Sequence, residues 1–253
     1  MTSDLTQSIS PAGESFLLPT KEDYNNELKC IEGLVFKARS EKKEIVVVMG
    51  LGFVGAVMAA IVADTKDADG KNSKFVIGCQ RPSPRSFWKI PLINRGEAPV
   101  KAEDPEVDVL IKRCVVDDKT LVATYNSDCL QFADCVVVDV QCDFAKKELG
   151  NMKSGEADMA ALEDTMRTIG EKIQPNCLVL IENTVAPGTT DDRRQTTEDR
   201  HRSSVIRHPS SVIPMWPASA TSGGCVRAVN PSHGRGSRSS STRCSTPKIS
   251  RSR

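Results

Sequence analysis

The sequence has no apolar run of the roughly 18 residues that a membrane span requires, so it does not read as a membrane protein. Met1 to Pro19 is polar, with neither a basic start nor an apolar core. That excludes a secretory signal and makes the protein cytoplasmic by expectation. The nine cysteines include no C-x-x-C pair, and several lie in apolar strand-like runs such as Asp134-Cys135-Val136-Val137. They read as free, buried thiols rather than as disulfides or metal ligands. Histidine is missing from the first 192 residues, because His201, His208 and His233 all follow. The first 192 residues therefore offer no histidine as a general base. No internal repeat recurs at a fixed period.

What is present reads as a soluble globular chain, with 39% hydrophobic and 26% charged residues, enough for one sizeable core. The net charge of +1 conceals a split. Residues 1–192 carry 22 Lys and Arg against 31 Asp and Glu, whereas residues 193–253 carry 12 against 2. The second part holds 14 serines and 11 arginines without apolar periodicity, a composition that cannot form a core. Residues 193–253 are thus predicted to be a disordered Arg/Ser-rich tail, and residues 1–19 a disordered start. A basic tail attracts phosphates non-specifically. This one has no aromatic interleaving, RGG repeat or regular RS array, so no specific nucleic-acid partner is expected.

Between these ends, strands and helices alternate. Tyr24, Leu28, Ile31, Leu34 and Val35 are spaced for an amphipathic helix within residues 20–43, and Phe36 falls just off the stripe. Ile45-Val46-Val47-Val48-Met49 is a continuous apolar run that predicts a buried parallel strand. Residues 54–63 are Ala-rich and apolar nearly all round, which predicts a buried helix. Further strands are predicted at 74–78, 121–125, 135–140 and 177–181. Helices are predicted near 105–116 and 156–173, with a short one at 128–132 and a long Pro-containing loop after the second strand. This order predicts βαβ units, a Rossmann-type α/β doubly wound parallel sheet over residues 44–192.

Gly50-Leu51-Gly52-Phe53-Val54-Gly55 matches G-x-G-x-x-G directly after a strand and opening a helix, the context in which that pattern carries weight. Gly50 allows the tight turn, Gly52 lets the backbone approach a pyrophosphate, and Gly55 lets the helix pack close to the strand. The helix N-terminus supplies free N–H groups and a positive dipole end for the phosphates. At the end of the second strand, an acidic residue usually grips the ribose hydroxyls. Here Gln80 and Arg81 stand there. Gln80 can hydrogen-bond a hydroxyl without charge, and Arg81 can meet a 2′-phosphate or remain a solvated loop cation. A dinucleotide is supported, and NAD against NADP stays open.

Three further segments follow in a telling order. They are Gln80 to Glu106 with its Leu92-Ile93-Asn94-Arg95-Gly96 core, Ala133 to Asp143, and Ile181-Glu182-Asn183-Thr184-Val185-Ala186-Pro187-Gly188-Thr189-Thr190. Together with the glycine loop they resemble the N-terminal domain of the UDP-glucose/GDP-mannose dehydrogenase family. The resemblance implies an NAD-dependent, two-step oxidation of a sugar C6 alcohol to a carboxylate, a nucleotide-sugar substrate and a homodimer. By position it implies cofactor contacts from Gly50, Leu51, Gly52, Phe53, Val54, Gly55, Gln80, Arg81, Gln141, Cys142 and Thr184. It makes Glu182 the acidic residue that helps thioester hydrolysis, although a strand-end carboxylate facing water is the plainer reading. Cys142 stands where the family often has threonine, so it can equally be a packed thiol.

The family's nucleophile is a cysteine in a G-F-G-G-x-C-type motif, and its lysine base belongs to a central helical domain; neither pattern occurs here. The implied chemistry needs a thiolate to capture the aldehyde, so that a second hydride can leave. Ser222-Gly223-Gly224-Cys225 lies in the wrong surroundings to replace it. This chain is therefore expected to hold its cofactor without turning over, to lack the dimer helix, and to have an incomplete sheet. The composition break after about Asp192 has its own explanation. Reading the codons of Met215 to Val226 from the third base of the Met codon permits V-A-S-I-R-D-F-W-R-V-C, which resembles what the family carries beyond its T-V-x-P-G-T-T motif. A shifted reading frame is the expected origin of the tail.

Overall fold

The computed structural model describes residues 7–146 and 155–185. A hairpin of β1 (Gln7–Ile9) and β2 (Ser15–Leu17) leads into helix α1 (Lys21–Ser40). Strand β3 (Glu44–Met49), helix α2 (Phe53–Ala63) and strand β4 (Lys74–Cys79) form the first βαβ unit. Short helices α3 (Lys89–Asn94) and α4 (Glu106–Lys112) precede β5 (Leu121–Thr124). Strand β6 (Cys135–Val138) is followed by a hairpin of β7 (Asp143–Lys146) and β8 (Gly155–Asp158), then α5 (Ala160–Lys172) and β9 (Leu178–Ile181).

Five strands form one parallel sheet in the order β5-β4-β3-β6-β9. The order reverses at β3, which pairs with β4 on one side and with β6 on the other. Alternation along β3 divides the core in two. Ile45, Val47 and Met49 join α1 (Ile31, Val35, Ala38) and α5 (Leu162, Ile169). Val46 and Val48 join the small side chains Ala56, Ala59, Ala60 and Ala63 of α2, with Ile111 of α4. Both faces are covered by helices, so β3 can be apolar without interruption. The sheet is the doubly wound Rossmann type.

One polar anchor fixes α1 to the start of the sheet. Arg39 donates from both guanidinium nitrogens to Asp134 at 2.6 and 2.8 Å, and the Ile45 N–H donates to the same carboxylate at 2.8 Å. Burial pushes the Asp134 carboxyl up, but the bonds from Arg39 and Ile45 outweigh it and leave it below the usual carboxylate range. Asp134 also bridges β3 to β6: its own N–H donates to Ile45 O at 2.9 Å.

Several expectations need correction. Within the first 19 residues, expected to be disordered, β1 pairs with β2, and Ser8 is fully buried. The Ser8 hydroxyl donates to Pro84 O at 2.9 Å and accepts from Trp88 N at 3.1 Å. Tertiary hydrogen bonds, invisible to local composition, order this segment. The helix expected at 156–173 starts only at Ala160, because Gly155 to Asp158 pair with β7. The Asp158 carboxylate accepts from Ala160 N at 3.1 Å and starts the helix there. The expected long loop after the second strand contains α3, which tolerates Pro91 in its first turn, where no helical N–H partner is lost. The fourth strand ends at Val138 rather than Val140, and the helix expected to reach residue 116 passes into a wider turn at Arg113–Asp117. The tail 193–253 lies outside the described residues.

Among the described residues no helix is long and apolar enough to cross a membrane, and no group of three or more His, Cys, Asp or Glu could hold a metal ion.

Candidate functional site

A cleft of about 600 Å³ opens at the carboxyl edge of the sheet, where the strand order reverses. That is where open α/β sheets bind ligands. Its floor is the turn from β3 into α2. Gly50 takes φ +100°, a conformation that favours glycine. A Cβ built there would lie 2.0 Å from Asp139 O, so the turn and the end of β6 meet as bare backbone. A Cβ on Gly55 would lie 1.9 Å from Gly50 O, so the first turn of α2 also requires glycine.

Gly52 differs. It caps α2 with φ −78° and ψ −159°, and an added Cβ would meet nothing within 4 Å. The space beside it is open and borders the cleft. It is the one position of the three where a side chain would intrude on a ligand rather than on the protein. That fits a pyrophosphate at the α2 N-terminus. Leu51 turns inward and is 1% exposed; a Cβ on Gly78 would strike its side chain at 2.7 Å. Only the Leu51 backbone borders the turn, and its N–H donates to Gln80 Oε1 at 2.8 Å. Phe53 and Val54 are exposed at the start of α2.

The expected site residues separate into two groups. Gly50, Gly52, Gln80, Arg81 and Gln141 line the one cleft. Gln141 is tethered by its amide to both Asp143 oxygens, at 3.0 and 2.8 Å. Cys142 packs against the apolar core instead, and burial pushes its thiol up, with Asp143 and Asp158 adding to the shift. The packed-thiol reading is the one its contacts favour. Glu182 follows β9 at the carboxyl edge, with its N–H on Val138 O at 2.9 Å, but it is exposed and outside the cleft lining, as is Thr184. The neighbouring Asn183 donates to Val140 O, while its own Oδ1 is buried without a partner. The rest of that motif, from Ala186, lies outside the described residues.

Sequence reasoning missed other members of the lining. Asp139 ends β6 beside the glycine turn, with Oδ2 2.9 Å from where a Gly55 Cβ would stand. Burial pushes its carboxyl up, and among the described residues it has no hydrogen-bond partner. No motif marked it. Tyr24 of α1 and Tyr125 after β5 close one rim, with ring centroids 5.1 Å apart and edge to face. The Tyr125 hydroxyl donates to Asp23 O at 3.2 Å, and burial, helped by Glu27 and Asp23, pushes it up to about 12. Arg85, Ser86 and Lys89 complete the β4 side, where burial lowers the Lys89 ammonium. Their signal lay in the run from Gln80 to Lys89, which marks the family and here follows β4 directly.

Comparison with known proteins agrees with this geometry. The sequence pattern of the UDP-glucose/GDP-mannose dehydrogenase family, NAD binding domain, matches residues 44–214, past the composition break near Asp192. The NDP-N-acetyl-D-galactosaminuronic acid dehydrogenase of Methanosarcina mazei Go1 is similar at 33% identity and a TM-score of 0.51, over 64% of this chain and 31% of that one. A UDP-D-ManNAc dehydrogenase from Pyrococcus horikoshii is 26% identical, with a TM-score of 0.46, over 61% of this chain and 32% of that one. A GDP-mannose dehydrogenase from Pseudomonas aeruginosa is also 26% identical, with a TM-score of 0.44, over 58% and 30%. This chain thus spans about a third of the length of these solved structures. No curated protein matches it. The family pattern covers well over half of the chain, on the glycine turn and parallel sheet just described, and so the chain belongs to the UDP-glucose/GDP-mannose dehydrogenase family, whose NAD-binding domain it carries.

Proposed function

We propose that this chain holds NAD(H) across the carboxyl edge of its sheet, as the cofactor half of an oxidoreductase that converts a nucleotide sugar to its uronate. The observation that carries the reading is the contrast among the three glycines. Gly50 and Gly55 are enclosed by protein backbone, whereas Gly52 faces open cleft. In this reading the α2 N-terminus and the Gly52 backbone receive the pyrophosphate. Gln80 and the segment after it hold the adenosine ribose, and Gln141 borders the nicotinamide end. Bound there, NAD would accept hydride from the sugar carbon. The protein's part is to orient the cofactor and to keep the Gly50–Asp139 junction rigid. Glu182 remains the proposed acid near thioester hydrolysis, on the strength of its place at the carboxyl edge.

A second reading has its own support: cofactor binding without turnover. Oxidation to the acid requires an activated thiolate. Among the described residues the cleft's thiol is Cys79, which is 3% exposed, and the Cys142 thiol is pushed up rather than activated. Two assays on the full-length chain separate the readings. Calorimetric titration with NADH tests binding. Reduction of NAD in the presence of UDP-glucose or GDP-mannose tests turnover. Saturable binding with no NADH produced supports the binding module, and NADH formation supports the enzyme. Absence of saturable binding overturns both.

A further inference from the structure

Gln80 occupies the position where an NAD site places a carboxylate, and the hydrogen bonds around it change what the position can recognise. A ribose 2′-hydroxyl is held best by an acceptor that takes its proton. The only acceptor atom of the Gln80 side chain, Oε1, is already spent on Leu51 N at 2.8 Å. Its amide nitrogen reaches nothing closer than Arg81 O, at 3.5 Å. What remains on this side of the cleft is donors: Gln80 Nε2, the Arg81 and Arg85 guanidiniums and the Lys89 ammonium. Among the described residues, neither Arg81 nor Arg85 meets a carboxylate. The cleft's acidic residues, Asp139 and Asp164, belong to the end of β6 and to α5, on the other side of β3.

The segment that carries these cations is built, not loose. Ser83 and Ser86 hydroxyls meet at 2.7 Å, and Ser86 donates to Arg81 O at 3.0 Å. Phe87 N donates to Ser83 O at 3.0 Å. The buried Ser8 hydroxyl fastens Pro84 O and Trp88 N from the N-terminal hairpin. A donor-only, cationic and pre-ordered edge suits a group that accepts hydrogen bonds and carries negative charge, and Arg is the side chain whose planar fork fits phosphate oxygens.

We propose that the Gln80–Lys89 edge of the cleft recognises a 2′-phosphate, so that this chain binds NADP(H) in preference to NAD(H). The inference rests on the dinucleotide reading above and narrows it. The test is a fluorescence titration of the full-length chain with NADPH and with NADH at low salt, on wild type, Gln80→Glu and the Arg81→Ala/Arg85→Ala double variant. Both variants alter side chains at the cleft mouth, and melting curves confirm that they fold. The expected result is NADPH bound at least about tenfold more tightly than NADH, with a preference that shrinks as salt rises. The double variant brings the ratio close to one. Gln80→Glu keeps its reach to Leu51 N but adds negative charge, so the ratio moves toward NADH. Equal binding of the two cofactors, or tighter binding of NADH, by wild type overturns the proposal and leaves the dinucleotide reading intact. A loss of affinity that is the same for both cofactors in the double variant also overturns it. Failure of both cofactors to bind overturns the proposal together with the reading beneath it.

Discussion

Replacing Gly52 by alanine separates the ligand's demand for glycine from the fold's. At Gly50 two costs add. A left-handed backbone costs an L-residue about 1–2 kcal/mol, and the new Cβ would stand 2.0 Å from Asp139 O, so the turn or the end of β6 must move. At Gly55 the φ is ordinary, but the Cβ would stand 1.9 Å from Gly50 O. Each of these two substitutions is expected to cost about 3 kcal/mol or more, in the range of mutations that strain a packed backbone. Gly52 has φ −78° and nothing within 4 Å of an added Cβ. Gly52→Ala therefore leaves stability within about 0.5 kcal/mol of wild type. The methyl group occupies the space in which the backbone approaches the pyrophosphate. Losing one charge-assisted backbone bond there costs about 1.5–3 kcal/mol, or roughly ten- to hundredfold in Kd. The assays are urea unfolding followed by tryptophan fluorescence, with Trp88 buried in the described fold, and titration with reduced cofactor. If Gly52→Ala unfolds as easily as Gly50→Ala, or binds cofactor as tightly as wild type, the division of labour among the glycines is wrong.

Three further outcomes follow from the packing. Ser8→Ala leaves the buried Trp88 N–H without its acceptor and is expected to cost about 1–3 kcal/mol; an unchanged melting temperature would show that the N-terminal hairpin braces nothing. Asp134 is held below the usual carboxylate range, so its contribution is present above the unfolded pKa of about 3.9 and is lost as pH falls through the lower folded value. Asp134→Asn is expected to cost about 1 kcal/mol at pH 7, discounted because the pair is partly exposed. Urea midpoints of the two proteins should converge at acid pH. Asp139 has the opposite sign: burial raises its carboxyl, so the stability of its protonated form is lost as pH rises through the folded value. Asp139→Asn should therefore match or exceed wild type in urea midpoint at pH 7, and a variant less stable at pH 7 than at pH 4, relative to wild type, contradicts that burial argument.

Much of the fold was legible because its signals are local. A continuous β-branched run, a glycine turn and an Ala-rich stretch follow one another from Ile45 to Ala63, and that order allows little besides a first βαβ unit. Gln80 and Arg81 were also legible, because they follow a strand of that unit at a fixed place. What escaped was tertiary. The β1–β2 hairpin owes its order to Ser8 reaching residues about 80 positions away, and no pattern within 1–19 announces that. Asp139 was hidden inside an apolar run that read as strand to Val140. Only the spatial meeting of Gly50 with the end of β6 gives its carboxyl a place beside the turn. Cys142 and Glu182 adjoin strand ends, and sequence position alone does not decide whether such a side chain enters the cleft. Packing decided for Cys142, which belongs to the core.

The central claim is that a dinucleotide binds at the turn between β3 and α2. Amide hydrogen exchange of the full-length chain, with and without saturating reduced cofactor, tests it where it stands. Slowed exchange confined to the Leu51–Ala56 turn and the Gln80–Ser86 segment is the predicted result. Exchange that is unchanged there under saturating cofactor, or protection that appears only elsewhere, contradicts the account.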